Sequence, residues 1–187
     1  MSKGQKRKIS GEVIVGFALM FLGLFYMQKF FPATESLPAF KAYIDAASAN
    51  GIMSVILFMA IGCVLAFALQ STGAVTLTMV MLSSGWIDFT MAAAMVMGEN
   101  IGTTISANIA ASEANIQAKR AALVHTLFNI FGAVLALIFF HPFIRLVGSI
   151  AGGLNSAWSC VLGIAIFHTL FNLLDTCILA WFTGPIE

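Results

Sequence analysis

A chain of 187 residues that is 60% hydrophobic and 9% charged, with a mean hydropathy of +0.97, is far more apolar than the core of a soluble domain this size requires. The balance excludes an ordinary soluble domain and predicts an all-α polytopic membrane protein. A net charge of +1 leaves no electrostatic footprint for nucleic acid, and no nucleic-acid partner is expected.

The chain opens on Lys3, Lys6, Arg7 and Lys8. The positive-inside rule keeps such a tail, residues 1–10, cytoplasmic, so the apolar run 11–31 is predicted to cross outward. Residues 11–183 then read as one transmembrane transporter repeat, with about four membrane-crossing helices plus a re-entrant helical hairpin. Residues 32–50 mix Glu35, Lys41, Asp45 and two prolines, the composition of an external connector with a short surface helix near 39–47.

Residues 52–69 are apolar throughout, QSTG follows, and residues 74–82 lead to the polar turn Ser83-Ser84-Gly85. The second limb has room for only about 15 Å of helix, half of a hydrocarbon core of roughly 30 Å. Residues 52–84 are therefore either one interrupted span or a hairpin that returns to the side it entered from. Charge decides, because Lys119 and Arg120 in the loop 112–120 stay with the basic N-terminus only if 52–84 is a re-entrant hairpin. Residues 88–111 form the next span, expected to be broken at GENIGTT, 98–104. The run 121–140 then leads outward, 141–156 is an external loop, and 157–182 returns.

Two features punctuate these apolar runs. Cys63, Cys160 and Cys177 are odd in number and scattered, which argues against a disulfide framework or a metal-ligand spacing. His125-Thr126-Leu127-Phe128-Asn129 recurs as His168-Thr169-Leu170-Phe171-Asn172, with Asp175 extending the second stripe at i+7. A buried His with Asn one turn on is expected to be interhelical hydrogen-bond glue.

The chemistry concentrates in the two polar interruptions. Gln70, Ser71, Thr72 and Gly73 precede a helix start, where free backbone N–H groups and the positive dipole end attract an anion. The carbonyl end of the preceding half-helix suits a hard cation such as sodium. In the second stretch Gly98 and Gly102 free the backbone, while Asn100, Thr103 and Thr104 supply oxygens. Glu99 there fits a cation site, a proton site or a structural hydrogen bond. No Lys or Arg falls near mid-membrane, so a bound anion would be neutralised by helix ends and co-bound cations, which leads to cation-coupled transport. No nucleophile–base pair or phosphate-cradling loop stands out, so an enzyme is not expected.

Together QSTGAVT, GENIGTT and the run AKRAALVHTLFN resemble the sodium-dependent phosphate cotransporter family, the type II group and its bacterial relatives, particularly the C-terminal half of its members. That family carries a QSSSA-like motif in each of two inverted repeats, each followed by a GANIGTT-like segment. The resemblance implies an elevator-like fold in which Gln70, Ser71 and Thr72 contact phosphate or sodium and Asn100, Thr103 and Thr104 line the same cavity. It also implies sodium as coupling ion with no other cofactor, membrane lipid around the bundle, and a second inverted repeat as partner, from an upstream half or another subunit. The expected location is the plasma (inner) membrane. Thr72 and Gly73 replace two serines of the family pattern, and Glu99 a small residue. A non-transporting membrane scaffold or assembly subunit, a channel, and a transporter of another oxyanion or dicarboxylate are the alternatives.

Overall fold

The protein is seen in a computed structural model that describes residues 3–69 and 71–182, the side chains of 3, 4, 6, 28, 71, 72 and 182 excepted. Helix is the only regular secondary structure among the described residues. That is the arrangement expected of an all-α polytopic membrane protein, because a helix satisfies its own backbone where no water can.

Helix α1, Lys3–Phe30, belongs to a unit of its own, Met1–Ala33. It begins inside the expected tail of residues 1–10, of which residues 3–10 are helical. Glu12 consequently lies well inside the helix, where it pairs with Lys8 at 3.9 Å. Its apolar side chains, Ile14, Phe17 and Phe21 among them, are exposed within this unit, as suits a helix in lipid.

The second unit, Thr34–Glu187, holds the other helices. After a single 3-10 turn, α2 (Pro38–Ser48) starts on a proline, whose missing N–H costs nothing at a helix start. Then come α3 (Ile52–Leu69), α4 (Ser71–Ser83), α5 (Phe89–Ala111), α6 (Ile116–Ile138), α7 (Phe140–Ile150) and α8 (Ala157–Leu179). Side-chain oxygens of Asp88, Asn115 and Ser156 cap α5, α6 and α8, each accepting one of the free N–H groups of the first turn.

Three glycines determine how α3 meets α5. A Cβ on Gly62 would lie 2.1 Å from the Met95 carbonyl oxygen, one on Gly98 would lie 1.7 Å from that of Met59, and one on Gly102 would lie 2.2 Å from that of Cys63. The two backbones therefore touch, and residues later in α3 meet residues later in α5, so the helices run in the same direction. Helix α4 joins α5 through a tight turn, where Gly85 takes φ of 75°, and Thr78 of α4 reaches Glu99 of α5. Thus α4 runs back along both, and α3 and α4 form a helical hairpin. Helix α2 confirms it, because it touches both ends: Ser54 Oγ donates to Ala47 O at 2.6 Å, and the Phe40 and Trp86 rings lie 5.4 Å apart.

The expected break at 98–104 is not there. Helix α5 is continuous from Phe89 to Ala111, and its glycines let α3 approach instead of unwinding the chain. Helix α5 is also the most deeply buried element, with every residue from Met91 to Glu99 enclosed. Two loops are corrected as well. Helix α6 starts at Ile116, putting Lys119 and Arg120 in its first two turns, and the expected external loop 141–156 folds mostly as α7, which buries Phe140, Phe143 and Val147.

Among the described residues, four helices are long and apolar enough to cross a membrane: α1 over Arg7–Met27, then α3, α6 and α8. Helix α3 has this property by itself, whereas α4 is shorter and α5, expected to cross, is less apolar because it carries Glu99, Asn100, Asn108 and three threonines.

Candidate functional site

A polar seam crosses the bundle where α4, α5 and α8 meet. Glu99 is 1% exposed and Thr78 fully buried, and the Thr78 hydroxyl donates to Glu99 Oε1 at 2.6 Å. Next on α5, Asn100 faces α8, where His168 Nε2 lies 3.2 Å from its Oδ1. In the Nε2–H tautomer the imidazole donates to that oxygen and fixes the amide plane. Glu99 Oε2 and Asn100 Nδ2 are buried with no partner among the described residues. Enclosed polar atoms are seldom left this way, because each costs about 1–3 kcal/mol. An unanswered acceptor and an unanswered donor on successive residues mark the part of α5 where an ion would complete the bonding.

The residues singled out from sequence fare differently. Gln70 lies outside the described residues. Ser71 and Thr72 are in the first turn of α4, and their side chains are not described. Thr103 and Thr104 turn their hydroxyls back onto their own helix, donating to Asn100 O at 2.8 Å and Ile101 O at 2.7 Å, and Thr104 is fully buried. Ala66 packs against Gly102, so the last turn of α3 lies beside this half of α5. Thr78 was not singled out, although it lies seven residues after Ser71 and so on the same face of α4, the one signal that pointed to it.

Lower in the bundle Asn108 ties α5 to α6. Its Nδ2 donates to Thr104 O at 2.8 Å and to Thr126 Oγ1 at 2.5 Å. The two HTLFN copies share one local bond, since Asn129 and Asn172 donate to the carbonyls of His125 and His168, at 3.2 and 2.8 Å. Beyond them Asp175, 2% exposed, sits against Gly132 of α6, where a Cβ would lie 1.5 Å from its Oδ2. An open groove of about 460 Å³ runs along α8 past His168, Thr169, Asn172 and Thr176.

Residues 36–175 match the Na+/Pi-cotransporter family, which covers the whole bundle from α2 to Asp175. The chain belongs to this family. An Escherichia coli K12 protein named "Putative inorganic phosphate export protein YjbB" is 30% identical over 178 residues, 94% of this chain and 31% of the relative. The Salmonella typhimurium protein of the same name is 30% identical over 165 residues, 87% of this chain and 28% of its own length. The Bacillus subtilis protein YqeW is 38% identical over 80 residues, 42% of this chain and 26% of its own. The chain thus spans about a third of the length of these phosphate-export relatives. No solved structure matches it.

Proposed function

We propose that the chain carries out sodium-coupled transport of inorganic phosphate across the membrane, as one of two inverted repeats that together enclose the ion site. Asn100 carries this reading: a half-buried amide, oriented by His168, whose enclosed Nδ2 has no acceptor among the described residues and could donate to a phosphate oxygen. Gln70, Ser71 and Thr72 at the α3–α4 junction supply the remaining donors, with the helix start of α4 behind them. Thr103 and Thr104 contribute mainly by shaping the wall, their hydroxyls being engaged within α5. Sodium balances the anion, since residues 52–111 contain no Lys or Arg. Glu99, held by Thr78, is the carboxylate this reading assigns to that cation.

In this reading the α3–α4 hairpin is re-entrant, and the basic N-terminus lies on the cytoplasmic side of a plasma (inner) membrane. The facing inverted repeat, from the same polypeptide or another subunit, covers the polar side of the junction and completes the coordination. The family membership and the phosphate-export relatives support phosphate as the substrate.

The test is labelled-phosphate flux in proteoliposomes holding the chain with its facing repeat, under an imposed sodium gradient. Ser71→Ala and Asn100→Ala are expected to cut sodium-dependent flux roughly ten- to hundredfold, the loss of one hydrogen bond to a charged ligand at about 1.5–3 kcal/mol, with folded yield unchanged. Equal flux with choline in place of sodium would remove the coupling, and equal flux of sulfate would remove the phosphate assignment. The chain reconstituted without a facing repeat is expected to give little or no flux.

A further inference from the structure

We propose that Asp175 is a proton-binding site in the bundle core, separate from the seam at Glu99 and Asn100, and that it exchanges its proton with water through the cavity between α6, α7 and α8. Asp175 is 2% exposed and its Oδ2 is buried without a partner among the described residues. It borders an open cavity of about 270 Å³ whose other walls are apolar, among them Leu135, Ala136, Phe139 and Phe171. Gly132 leaves the space the carboxyl occupies, since any side chain there would overlap it.

A carboxylate enclosed in such walls is costly unless a cation or a proton neutralises it. Sodium would need several oxygen ligands, and among the described residues Asp175 brings the only carboxyl to this cavity. A proton needs no coordination shell.

Among the described residues, no charged group faces Asp175 from the elements packed around it. From α6 the nearest residues are Gly132, Leu135 and Ala136, while His125, Lys119 and Arg120 lie exposed toward the start of that helix. From α7 come Phe139, which precedes it, and Phe143, with His141 and Arg145 on the exposed side. On α8 Cys177 is exposed and the His168 imidazole is turned to Asn100. On α5 Asp88 caps the helix and Glu99 is held by Thr78. The neutral acid is therefore the resting form. When water enters the cavity, the Asp175 O–H bond breaks, the proton passes to that water, and the carboxylate is left hydrated until it is taken up again.

The experiment is infrared spectroscopy of the chain reconstituted in bilayers, a measurement that needs neither phosphate nor transport, so its failure leaves the transport reading intact. The carboxylic-acid C=O region is expected to show a band that shifts when the buffer is exchanged for D₂O and that disappears in Asp175→Asn but persists in Glu99→Gln. Gly132→Ala, which presses on the carboxyl without removing it, is expected to displace the same band, so the assignment survives if the Asn variant does not fold. An acid region identical in Asp175→Asn and the parent chain would overturn the site. A band that never exchanges in D₂O would overturn the link to water, and one abolished by sodium but not by choline would make this a sodium site instead.

Discussion

The two HTLFN stretches are identical over five residues, yet they meet different surroundings. In α6 His125 is exposed, and only Asn129 is buried. In α8 His168 is half-buried and reaches Asn100 of α5. They diverge most at i+7, where the first copy has Gly132 and the second Asp175, and these two positions pack against each other. Sequence identity fixed the local bond from each Asn to the carbonyl four residues back, and neighbouring helices decided everything beyond it. The echo is therefore a matched pair rather than a duplicated site.

The largest effect should come from making the copies alike. Gly132→Asp would drive a second carboxyl into Asp175, and folded, monodisperse yield on size-exclusion chromatography is expected to collapse. Gly132→Ala adds a single Cβ at the same place, and thermal unfolding should report a loss of about 1–3 kcal/mol from overpacking. Combining it with Asp175→Ala should recover much of that loss, since contacting residues are not additive. If the two substitutions simply add, the packing of Gly132 on Asp175 is wrong.

A functional contrast is expected next. His168→Ala should lower sodium-dependent phosphate flux by roughly tenfold, the value of one hydrogen bond orienting Asn100 at about 1.4 kcal/mol, while His125→Ala leaves flux within about twofold. Equal losses from both would show that the imidazoles act through something the copies share. The smallest difference lies in the asparagines. Asn129→Ala and Asn172→Ala each remove one bond to a helix carbonyl, so stability should fall by about 0.5–1.5 kcal/mol in each, with the buried Asn129 at the upper end.

Much of this architecture was legible from the residues. Charge asymmetry and limb length predicted a re-entrant hairpin over residues 52–84; α3 and α4 do pair as a helical hairpin, with Ser54 and Trp86 both against α2, while its re-entrance belongs to the proposed function. GENIGTT was misread because glycines four apart mean two things: they loosen a backbone, or they let another backbone in. Only the carbonyls of Met59 and Cys63 lying against Gly98 and Gly102 distinguish the two, and they belong to a helix thirty-odd residues earlier. Thr78 escaped notice for a similar reason, because a threonine in an apolar limb becomes a polar partner only once Glu99 is beside it. Helix α7 was taken for a loop on its glycines and lone arginine, whereas Phe140, Phe143 and Val147 recur at helical spacing and give it a face to bury.

The glycine contact between α3 and α5 also bears on leakage. With Gly62, Gly98 and Gly102 each against a backbone carbonyl of the other helix, no thread of water can run between these two rods, and an ion has no hydrated route there. One flank of α5 is thereby insulated along the turns the three glycines cover. Under the transport reading proposed above, an ion would pass along the opposite flank of α5, past Asn100 and His168, where the polar atoms are.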